Sequence, residues 1–190
     1  ESLKILKETN ALLEGHFILS SGLHSKQYVQ CAKLLSFPKK AEAICSSLCK
    51  KISSTINKID IVLSPAIGGI VVGYEVGRRL GVETIFAERF EERLILRRGF
   101  KIPENSKVLV VEDVITTGKS ALECSEIIKK NKSEVVGYAC IIDRSNNSVL
   151  IKQKIISQIK FEIETFREKE LPDELRKIMP VKPGSRNLSK

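Results

Sequence analysis

Short apolar runs alternate with segments of helical periodicity along most of the chain. Four runs rich in Val, Ile and Leu are predicted strands: IDIVLS at 59–64, ETIFAE at 83–88, KVLVVED at 107–113 and EVVGYACIIDR at 134–144. Three segments are predicted helices: about 39–56 behind Pro38, 70–81 ending in glycine, and 116–131. Strands that are apolar on both faces and alternate with helices favour right-handed βαβ units. The pattern therefore predicts an α/β fold with a twisted, mainly parallel sheet that carries helices on both faces.

The two ends of the chain depart from this alternation. An amphipathic helix is predicted from Leu3 to Leu13, and a turn signal at Ser21-Gly22 interrupts β-type residues at 16–32. Near the other end, KFEIETF at 160–166 is a predicted strand, and a short helix is expected near 172–178. We therefore predict three parts of one domain: a small N-terminal lobe at 1–37, an α/β core at 38–165, and a C-terminal helix and tail at 166–190.

Composition limits the classes of function. The chain has 190 residues, 42% of them hydrophobic, and a net charge of +9. Such a charge suits nucleic acid or a membrane surface, but no dense basic block with interleaved aromatics is present. Spread lysines and a phosphorylated substrate explain the charge better, so we expect neither nucleic acid nor membrane as a partner. No apolar stretch approaches the ~18 residues of a membrane span.

Cysteine usage indicates a reducing compartment. The five cysteines are odd in number and form no C-x-x-C pair, so neither a disulfide framework nor a zinc site is favoured. We expect them to be small buried side chains and the protein to be cytoplasmic.

Two predicted strand–turn–helix junctions are suited to bind anions. The first anion turn is SPAIGGI, 64–70, in which Gly68 and Gly69 allow a ligand to approach the backbone before a helix begins. The second anion turn is TTGKS, 116–120, whose amides and hydroxyls can surround a phosphate. A P-loop interpretation fails, because that motif needs glycine where Asp113 stands. Either turn alone is weak evidence for a site.

Two adjacent carboxylates, Glu112 and Asp113, lie between these turns, at the end of a predicted strand. Like charges beside a phosphate site repel unless the ligand carries other groups for them. A ribose with an anion at each end supplies hydroxyl donors, and Mg²⁺ on a diphosphate supplies a cation. The pattern therefore favours a phosphorylated sugar diphosphate as ligand.

These motifs resemble those of a known family. VLVVEDVITTGKS, 108–120, is similar to the phosphoribosyl-diphosphate motif of type I phosphoribosyltransferases. Four other segments resemble one bacterial branch of the orotate phosphoribosyltransferases, so that the likeness covers nearly the whole chain: HFILSSGLHSKQY, SPAIGGIVVGYEVGRRLG, FAERFEERLILRRGF and PVKPGSRN. The resemblance implies the type I fold with a small N-terminal hood. It also implies transfer of phosphoribosyl from 5-phosphoribosyl 1-diphosphate to orotate, in pyrimidine (UMP) synthesis.

The resemblance implies roles for individual residues. Glu112 and Asp113 would hold the ribose and be catalytic together with Arg89. Mg²⁺ would bind mainly through the substrate, near Asp113, with no direct protein ligand. The diphosphate would contact Ala66, Ile67, Gly68, Gly69 and Arg98. The 5′-phosphate would be enclosed by Val114, Ile115, Thr116, Thr117, Gly118, Lys119 and Ser120. Orotate would contact Thr116, Arg144, Ser21 and Gly22.

The basic stretch from Arg89 to Arg98 is the candidate for the mobile loop that closes over the diphosphate in this family. It departs from the common pattern, because Ile67 and Ser20 stand where many relatives carry lysine and Glu88 stands where they have a basic residue. The identity of the cation that stabilises the leaving group stays open. By analogy we expect a homodimer. His16 is expected to be structural, whereas His24 lies in the hood turn and could contact ligand.

Two other functions compete with this interpretation. A phosphoribosyltransferase for purine or uracil would share the second anion turn, but the SSGLHS and IIDR segments argue against it. A non-catalytic regulator that senses the sugar diphosphate and binds nucleic acid would need a separate DNA-binding segment, and no helix-turn-helix signal is present before residue 37.

Overall fold

The computed structural model describes residues 1–19, 21–145 and 149–183. Its helices are α1 (Ser2–Glu8), α2 (Cys31–Leu35), α3 (Pro38–Ser53), α4 (Gly68–Leu80), α5 (Lys119–Lys130) and α6 (Asp173–Arg176). Its strands are β1 (Leu12–Ile18), β2 (His24–Val29), β3 (Ile61–Pro65), β4 (Glu83–Phe90), β5 (Arg93–Leu96), β6 (Lys107–Ile115), β7 (Glu134–Asp143), β8 (Ile155–Lys160) and β9 (Thr165–Phe166).

Six strands form the central sheet in the order β5-β4-β3-β6-β7-β8. All neighbouring pairs are parallel except β4 and β5, which form an antiparallel hairpin. The predicted twisted, mainly parallel sheet with helices on both faces is therefore confirmed.

The sheet has a separate apolar core on each face. Residues of β6 show how the strand period divides them: Leu109 and Val111 pack with α3 and α4, whereas Val108 and Val110 pack with α5. Both cores are built from side chains with little or no exposure, which explains why these strands are continuous apolar runs.

Two glycines let α4 lie close to the sheet. A Cβ at Gly73 would be 2.0 Å from Oγ of Ser64, and a Cβ at Gly77 would be 1.7 Å from Oγ1 of Thr84. Both hydroxyl oxygens are buried without a hydrogen-bond partner among the described residues. The close contact between α4 and the sheet therefore depends on the lack of a Cβ at the two glycines and not on hydrogen bonds. It fixes the position at which α4 begins, at the first anion turn.

The N-terminal lobe forms a second, three-stranded sheet in the order β1-β2-β9. We call this antiparallel sheet and the turn between β1 and β2 the hood. Its third strand comes from residues 165 and 166, so the C-terminal part of the chain helps to build the N-terminal lobe. The domain boundaries given above stay predictions.

Several predicted elements were wrong in extent. The first helix ends at Glu8 and not at Leu13, because residues 12–18 form β1. The strand predicted at 160–166 is instead β8, which ends at Lys160, followed by the separate two-residue β9. Helix α2 was not predicted. Strand β6 continues to Ile115, two residues beyond the predicted end.

We predict that Gly77→Ala destabilises the fold by about 1–2 kcal/mol. Alanine improves helix propensity by ~1 kcal/mol, but overpacking at 1.7 Å from the Thr84 oxygen costs about 2–3 kcal/mol, the upper part of the usual range. Urea unfolding followed by circular dichroism measures the difference. The double variant Gly77→Ala/Thr84→Ala should recover part of the loss, since it removes the nearest oxygen. Wild-type stability in the single variant would contradict the close packing of α4.

Candidate active site

The candidate site lies where the chain reverses its direction of progress across the central sheet. From β3 the chain moves through α4 to β4 on one side, and it later resumes at β6 on the other side of β3. The helices that leave β3 and β6 lie on opposite faces, which opens a crevice beyond the carboxyl ends of these two neighbouring strands. Both predicted anion turns lie at this crevice.

The first anion turn joins β3 to α4. The amide of Ala66 donates to the carbonyl of Ala87 at 2.7 Å, which ties the turn to β4. The peptide between Ala66 and Ile67 is cis. Helix α4 begins at Gly68, so its first amides have no acceptor within the helix and are free to meet an anion. The side chain of Ile67 is 85% exposed.

The second anion turn joins β6 to α5. Gly118 has a φ of +77°, a left-handed conformation that favours glycine, and α5 begins at the next residue. The turn is held from outside: Leu150 donates its amide to the carbonyl of Thr117 at 2.9 Å, and Ile151 packs on Gly118. Thr116, Thr117 and Lys119 are exposed, whereas Ile115 is buried in the core. Any contact of Ile115 with a phosphate therefore comes from its backbone.

The sequence predicted the acidic pair at the end of a strand. This was wrong, because the pair lies inside β6, which continues to Ile115. Asp113 faces α4: its carboxylate oxygens lie 2.9 Å from where a Cβ at Gly68 would be. The first anion turn and Asp113 are therefore in direct contact, and only glycine fits at position 68. Asp113 also accepts a 2.9 Å hydrogen bond from the amide of Val114. Strand alternation directs Glu112 toward the opposite face.

Burial gives both carboxyl groups an unusual preference for the proton. Burial, and then the charge of Asp113, raise the pKa of Glu112 to about 8. Burial also raises the pKa of Asp113, although the Val114 hydrogen bond lowers it in part. Oε1 of Glu112 is buried and has no partner among the described residues. A buried polar atom without a partner costs stability, which indicates that a ligand completes this site.

Arg144 follows β7 on the α3 and α4 side of the crevice. Its amide donates to the carbonyl of Ile115 at 2.8 Å, which fixes it beside the acidic strand. Its Nε is buried without a described partner, and burial lowers the pKa of its guanidinium. A desolvated cation of this kind is a suitable partner for a substrate carboxylate.

Tyr28 is a site residue that the sequence did not single out. It lies on β2, and its hydroxyl donates to Oε1 of Gln30 at 3.1 Å. Burial raises the pKa of Tyr28, while the nearby charges of Arg144 and Asp113 act on it in opposite directions. The hood therefore reaches the same crevice as the acidic pair. The sequence carried no signal for this position, because it depends on how the hood packs against the core.

The predicted loop from Arg89 to Arg98 is a hairpin of β4 and β5. The guanidinium of Arg89 forms a salt bridge of 3.1 Å with Glu123 on α5 and donates to the carbonyl of Glu92 at 2.7 Å. Arg98 donates two hydrogen bonds, of 2.8 and 2.9 Å, to Glu88. Both predicted cations are thus paired with carboxylates of the same chain, and neither contact involves the anion turns. Their catalytic and diphosphate roles stay predictions.

The hood turn places Ser21 and Gly22 between β1 and β2. Gly22 has a φ of +81° and donates its amide to the carbonyl of Leu19 at 2.9 Å. Ser21 is exposed, and its hydroxyl accepts from the amide of Leu23. Their predicted contact with orotate stays a prediction. Ser20 and the tail from residue 184, which includes the second half of PVKPGSRN, lie outside the described residues.

All five cysteines are unpaired and buried, as predicted. Burial is the first cause that raises the pKa of each thiol, so at neutral pH they stay protonated and are poor nucleophiles. Within the described ranges, no group of three His, Cys, Asp or Glu side chains is arranged to hold a metal ion. Likewise, no described helix is long and apolar enough to cross a membrane.

Residues 37–170 match the family model of the phosphoribosyl transferase domain. The chain belongs to this phosphoribosyltransferase family. It is 50% identical over 184 residues to the orotate phosphoribosyltransferase of Caldicellulosiruptor bescii, covering 97% of this chain and 96% of that protein. It is 47% identical over 191 residues to the orotate phosphoribosyltransferase of Methylorubrum extorquens, covering 100% and 97%.

Solved structures share the fold at lower identity. The crystal structure of orotate phosphoribosyltransferase from Aeropyrum pernix superposes with a TM-score of 0.71 at 23% identity, covering 84% of this chain and 93% of that one. The adenine phosphoribosyltransferase of Thermoanaerobacter pseudethanolicus gives 0.61 at 19% identity, covering 71% and 88%. The predicted type I phosphoribosyltransferase fold is therefore confirmed.

We predict that Glu112→Gln stabilises the ligand-free protein at high pH. Because the pKa of Glu112 is higher in the folded than in the unfolded state, the folded protein binds the proton more tightly. Stability is thus fully present below pH 4.5 and is lost as pH rises toward 8. The variant should gain on the order of 3 kcal/mol at pH 9 and little at pH 5.

Urea unfolding at both pH values measures this gain. Glu126→Gln, which removes an exposed carboxylate from α5, controls for the lost charge. A gain for Glu112→Gln that is equal at pH 5 and pH 9, or absent at both, would contradict the burial of an unpaired carboxyl group.

Proposed function

We propose that this chain is an orotate phosphoribosyltransferase, which forms orotidine 5′-monophosphate and diphosphate from orotate and 5-phosphoribosyl 1-diphosphate in pyrimidine biosynthesis. One observation carries the proposal: a half-buried acidic pair, in which Oε1 of Glu112 has no described partner, lies between two backbone turns suited to anions, at the switch point of a phosphoribosyltransferase fold. Relatives that carry the same name at 47% to 50% identity over nearly the whole chain support the choice of orotate.

The ribose lies on Glu112 and Asp113. The 2- and 3-hydroxyls donate hydrogen bonds to the two carboxylates, which supplies the missing partner of Glu112 Oε1. Because a bound hydroxyl donor favours the ionised carboxylate, sugar binding draws the pKa of Glu112 down. The carboxylates then stabilise positive charge on the sugar ring.

The two ends of the sugar occupy the two turns. The 5′-phosphate accepts hydrogen bonds from the amides and hydroxyls of 116–120 at the beginning of α5. The diphosphate lies on the amides of 67–69 at the beginning of α4, since the amide of Ala66 already donates to Ala87. Since Asp113 is in contact with Gly68, the carboxylate holds the ribose next to the turn that receives the leaving group.

Mg²⁺ fits this arrangement as a substrate-borne ion. Asp113 offers carboxylate oxygens beside the first anion turn, and such oxygens are ligands that Mg²⁺ prefers. The ion supplies charge neutralisation of the diphosphate when it is bound. Asp113 would position the ion and the diphosphate that carries it beside the first anion turn.

Orotate lies between the hood and Arg144. The buried guanidinium of Arg144 pairs with the orotate carboxylate, and Thr116, Ser21 and Gly22 surround the ring. The bond between the anomeric carbon and the diphosphate oxygen breaks, and a bond from that carbon to orotate N1 forms. The N1 proton goes to solvent, since this nitrogen is acidic enough to need no strong protein base. Diphosphate leaves with the bonding electron pair.

Closure of the hairpin at 89–98 completes the site. Arg89 and Arg98 lie in intrachain ion pairs that are 44% and 61% exposed on the arginine side. Exposed pairs of this kind are weak, so the arginines can exchange their carboxylate partners for the diphosphate. Such closure excludes water, which competes for the sugar. We further propose that the protein forms a homodimer. We also propose that it works in the cytoplasm, because unpaired cysteines suit a reducing compartment.

A spectrophotometric assay tests the proposed function. Loss of orotate absorbance is followed with protein, 5-phosphoribosyl 1-diphosphate and Mg²⁺, and uracil, adenine and hypoxanthine serve as controls. We expect turnover of orotate and no turnover of uracil, adenine or hypoxanthine. Turnover of one of the other bases with none of orotate would assign a different member of the family, and binding of the sugar diphosphate without any turnover would favour the regulator.

We predict that Asp113→Asn lowers kcat by about 10²–10³-fold, because a preorganised charge beside the reacting carbon is removed. The amide has the same shape and still fits against Gly68. Steady-state kinetics measure the loss, and thermal unfolding checks that the variant is folded. Near-normal turnover in a folded variant would refute the role of this carboxylate.

A further inference from the structure

Two buried histidines connect three segments of chain at the base of the hood. His16 lies on β1 and His24 begins β2, and Nε2 of His16 lies 2.7 Å from Nδ1 of His24. Nδ1 of His16 lies 2.8 Å from the carbonyl oxygen of Ile178, beyond α6. The two side chains are only 4% and 7% exposed. We call this chain of hydrogen bonds the histidine relay. The prediction of a structural position for His16 fits this burial.

The segment 178–181, which we call the C-terminal strap, runs beside β1. Val181 donates its amide to the carbonyl of His16 at 2.8 Å, and Ile18 donates its amide to the carbonyl of Val181 at 2.9 Å. Ile178, Met179 and Val181 are exposed, so the strap has little apolar burial to hold it. Its attachment depends on backbone pairing and on the histidine relay.

The chemistry of the partners fixes the direction of the relay. A carbonyl oxygen can only accept, so Nδ1 of His16 donates to Ile178. In a neutral His16, Nε2 then carries a lone pair and accepts. Nδ1 of His24 must therefore donate to it. Both rings are thus protonated on Nδ1, and within the described part of the chain the His24 N–H is the donor that satisfies His16 Nε2.

The relay lies directly below the hood turn. His24 is two residues after Gly22, and the turn is closed by the amide of Leu19 donating to the carbonyl of Leu23 at 2.8 Å. Farther along β2, the ring of Tyr28 lies 5.8 Å from that of Phe17 on β1, and the pKa of Tyr28 responds to the charges of Arg144 and Asp113. The relay therefore joins the strap to the β1-β2 pair that carries Tyr28 near the candidate site.

We propose that the histidine relay positions the hood turn over the orotate subsite, so that His16 and His24 are positioning residues for orotate and not for the sugar diphosphate. This inference rests on the proposed function. The sugar diphosphate is held by turns of the central sheet, which the relay does not touch. Orotate is bound between Arg144 of the core and Ser21 and Gly22 of the hood.

Loss of the His24 donor weakens orotate binding because fewer molecules have the hood turn in its binding position. Without that donor, the buried lone pair of His16 Nε2 is left unpaired, which favours separation of the strap from β1. The fraction of molecules with the hood turn in place then falls. The apparent affinity for a ligand that needs this turn falls by the same fraction.

A pair of variants with the same shape isolates the donor. In His24→Asn, the side-chain amide can donate from a position near that of Nδ1, whereas His24→Leu has a similar shape and no donor. We expect the leucine variant to raise KM for orotate about tenfold, equivalent to one lost buried hydrogen bond, and to leave KM for the sugar diphosphate within about twofold. The asparagine variant should keep most of the wild-type KM for orotate.

Any one of three results would overturn the positioning role. They are equal behaviour of the asparagine and leucine variants, equal increases of both KM values, and a lower melting temperature with both KM values unchanged. The last result would mean that the relay only stabilises the fold.

Histidine NMR tests the relay without depending on turnover. In ¹⁵N-labelled protein at neutral pH, both His16 and His24 should carry their proton on Nδ1. A proton on Nε2 of a neutral His16 would exclude the relay. If the wild-type protein does not turn over orotate, the proposed function fails and the positioning role falls with it, while the spectrum still decides whether the relay exists.

Discussion

The contact between Asp113 and Gly68 is the constraint on which the candidate site depends. It places a carboxylate of one strand against the first residue of the helix that leaves the neighbouring strand, with no room for a Cβ between them. The close approach is possible because α4 also lies on the sheet through Gly73 and Gly77. Three glycines on one helix thus bring an anion turn and the carboxylate proposed to bind the sugar together.

The same burial that builds the site makes it costly without ligand. Among the described residues, Oε1 of Glu112 has no hydrogen-bond partner and the pKa of Glu112 is raised to about 8, while Nε of Arg144 also has no partner. No salt bridge joins Glu112 to Arg144 within the part of the chain that the structure describes. In the proposed complex, the ribose hydroxyls would pair with Glu112 and the orotate carboxylate would pair with Arg144. On the proposed function, two substrates and not one are therefore needed to supply both missing partners.

The sequence predicted the central sheet because buried parallel strands appear as continuous apolar runs, with glycine turns behind β3 and β6. It failed where local pattern is ambiguous. Leu12 and Leu13 continue the helical period of α1, yet they begin β1, because pairing with β2 outweighs a marginal short helix. The strand β8 has polar residues within IISQIK and gave no clear signal.

Side-chain pairing in the site could not be predicted from sequence. Arg89 meets Glu123, 34 residues away, and His16 meets the carbonyl of Ile178, 162 residues away. Such contacts depend on how β4 lies beside α5 and how the C-terminal strap returns to the hood. The acidic pair was recognisable because its two members and the second anion turn are consecutive in the chain. The carboxylate partners of Arg89 and Arg98, the cations proposed for the diphosphate, were not recognisable, because they come from separate parts of the chain.

The most direct measurement is a crystal structure of the protein with 5-phosphoribosyl 1-diphosphate and Mg²⁺. We expect the ribose hydroxyls at hydrogen-bond distance, about 2.5–3.2 Å, from the carboxylates of Glu112 and Asp113. The 5′-phosphate should lie within the turn at 116–120 and the diphosphate at 66–69. A ribose bound away from both carboxylates, or a 5′-phosphate outside the second anion turn, would contradict the account.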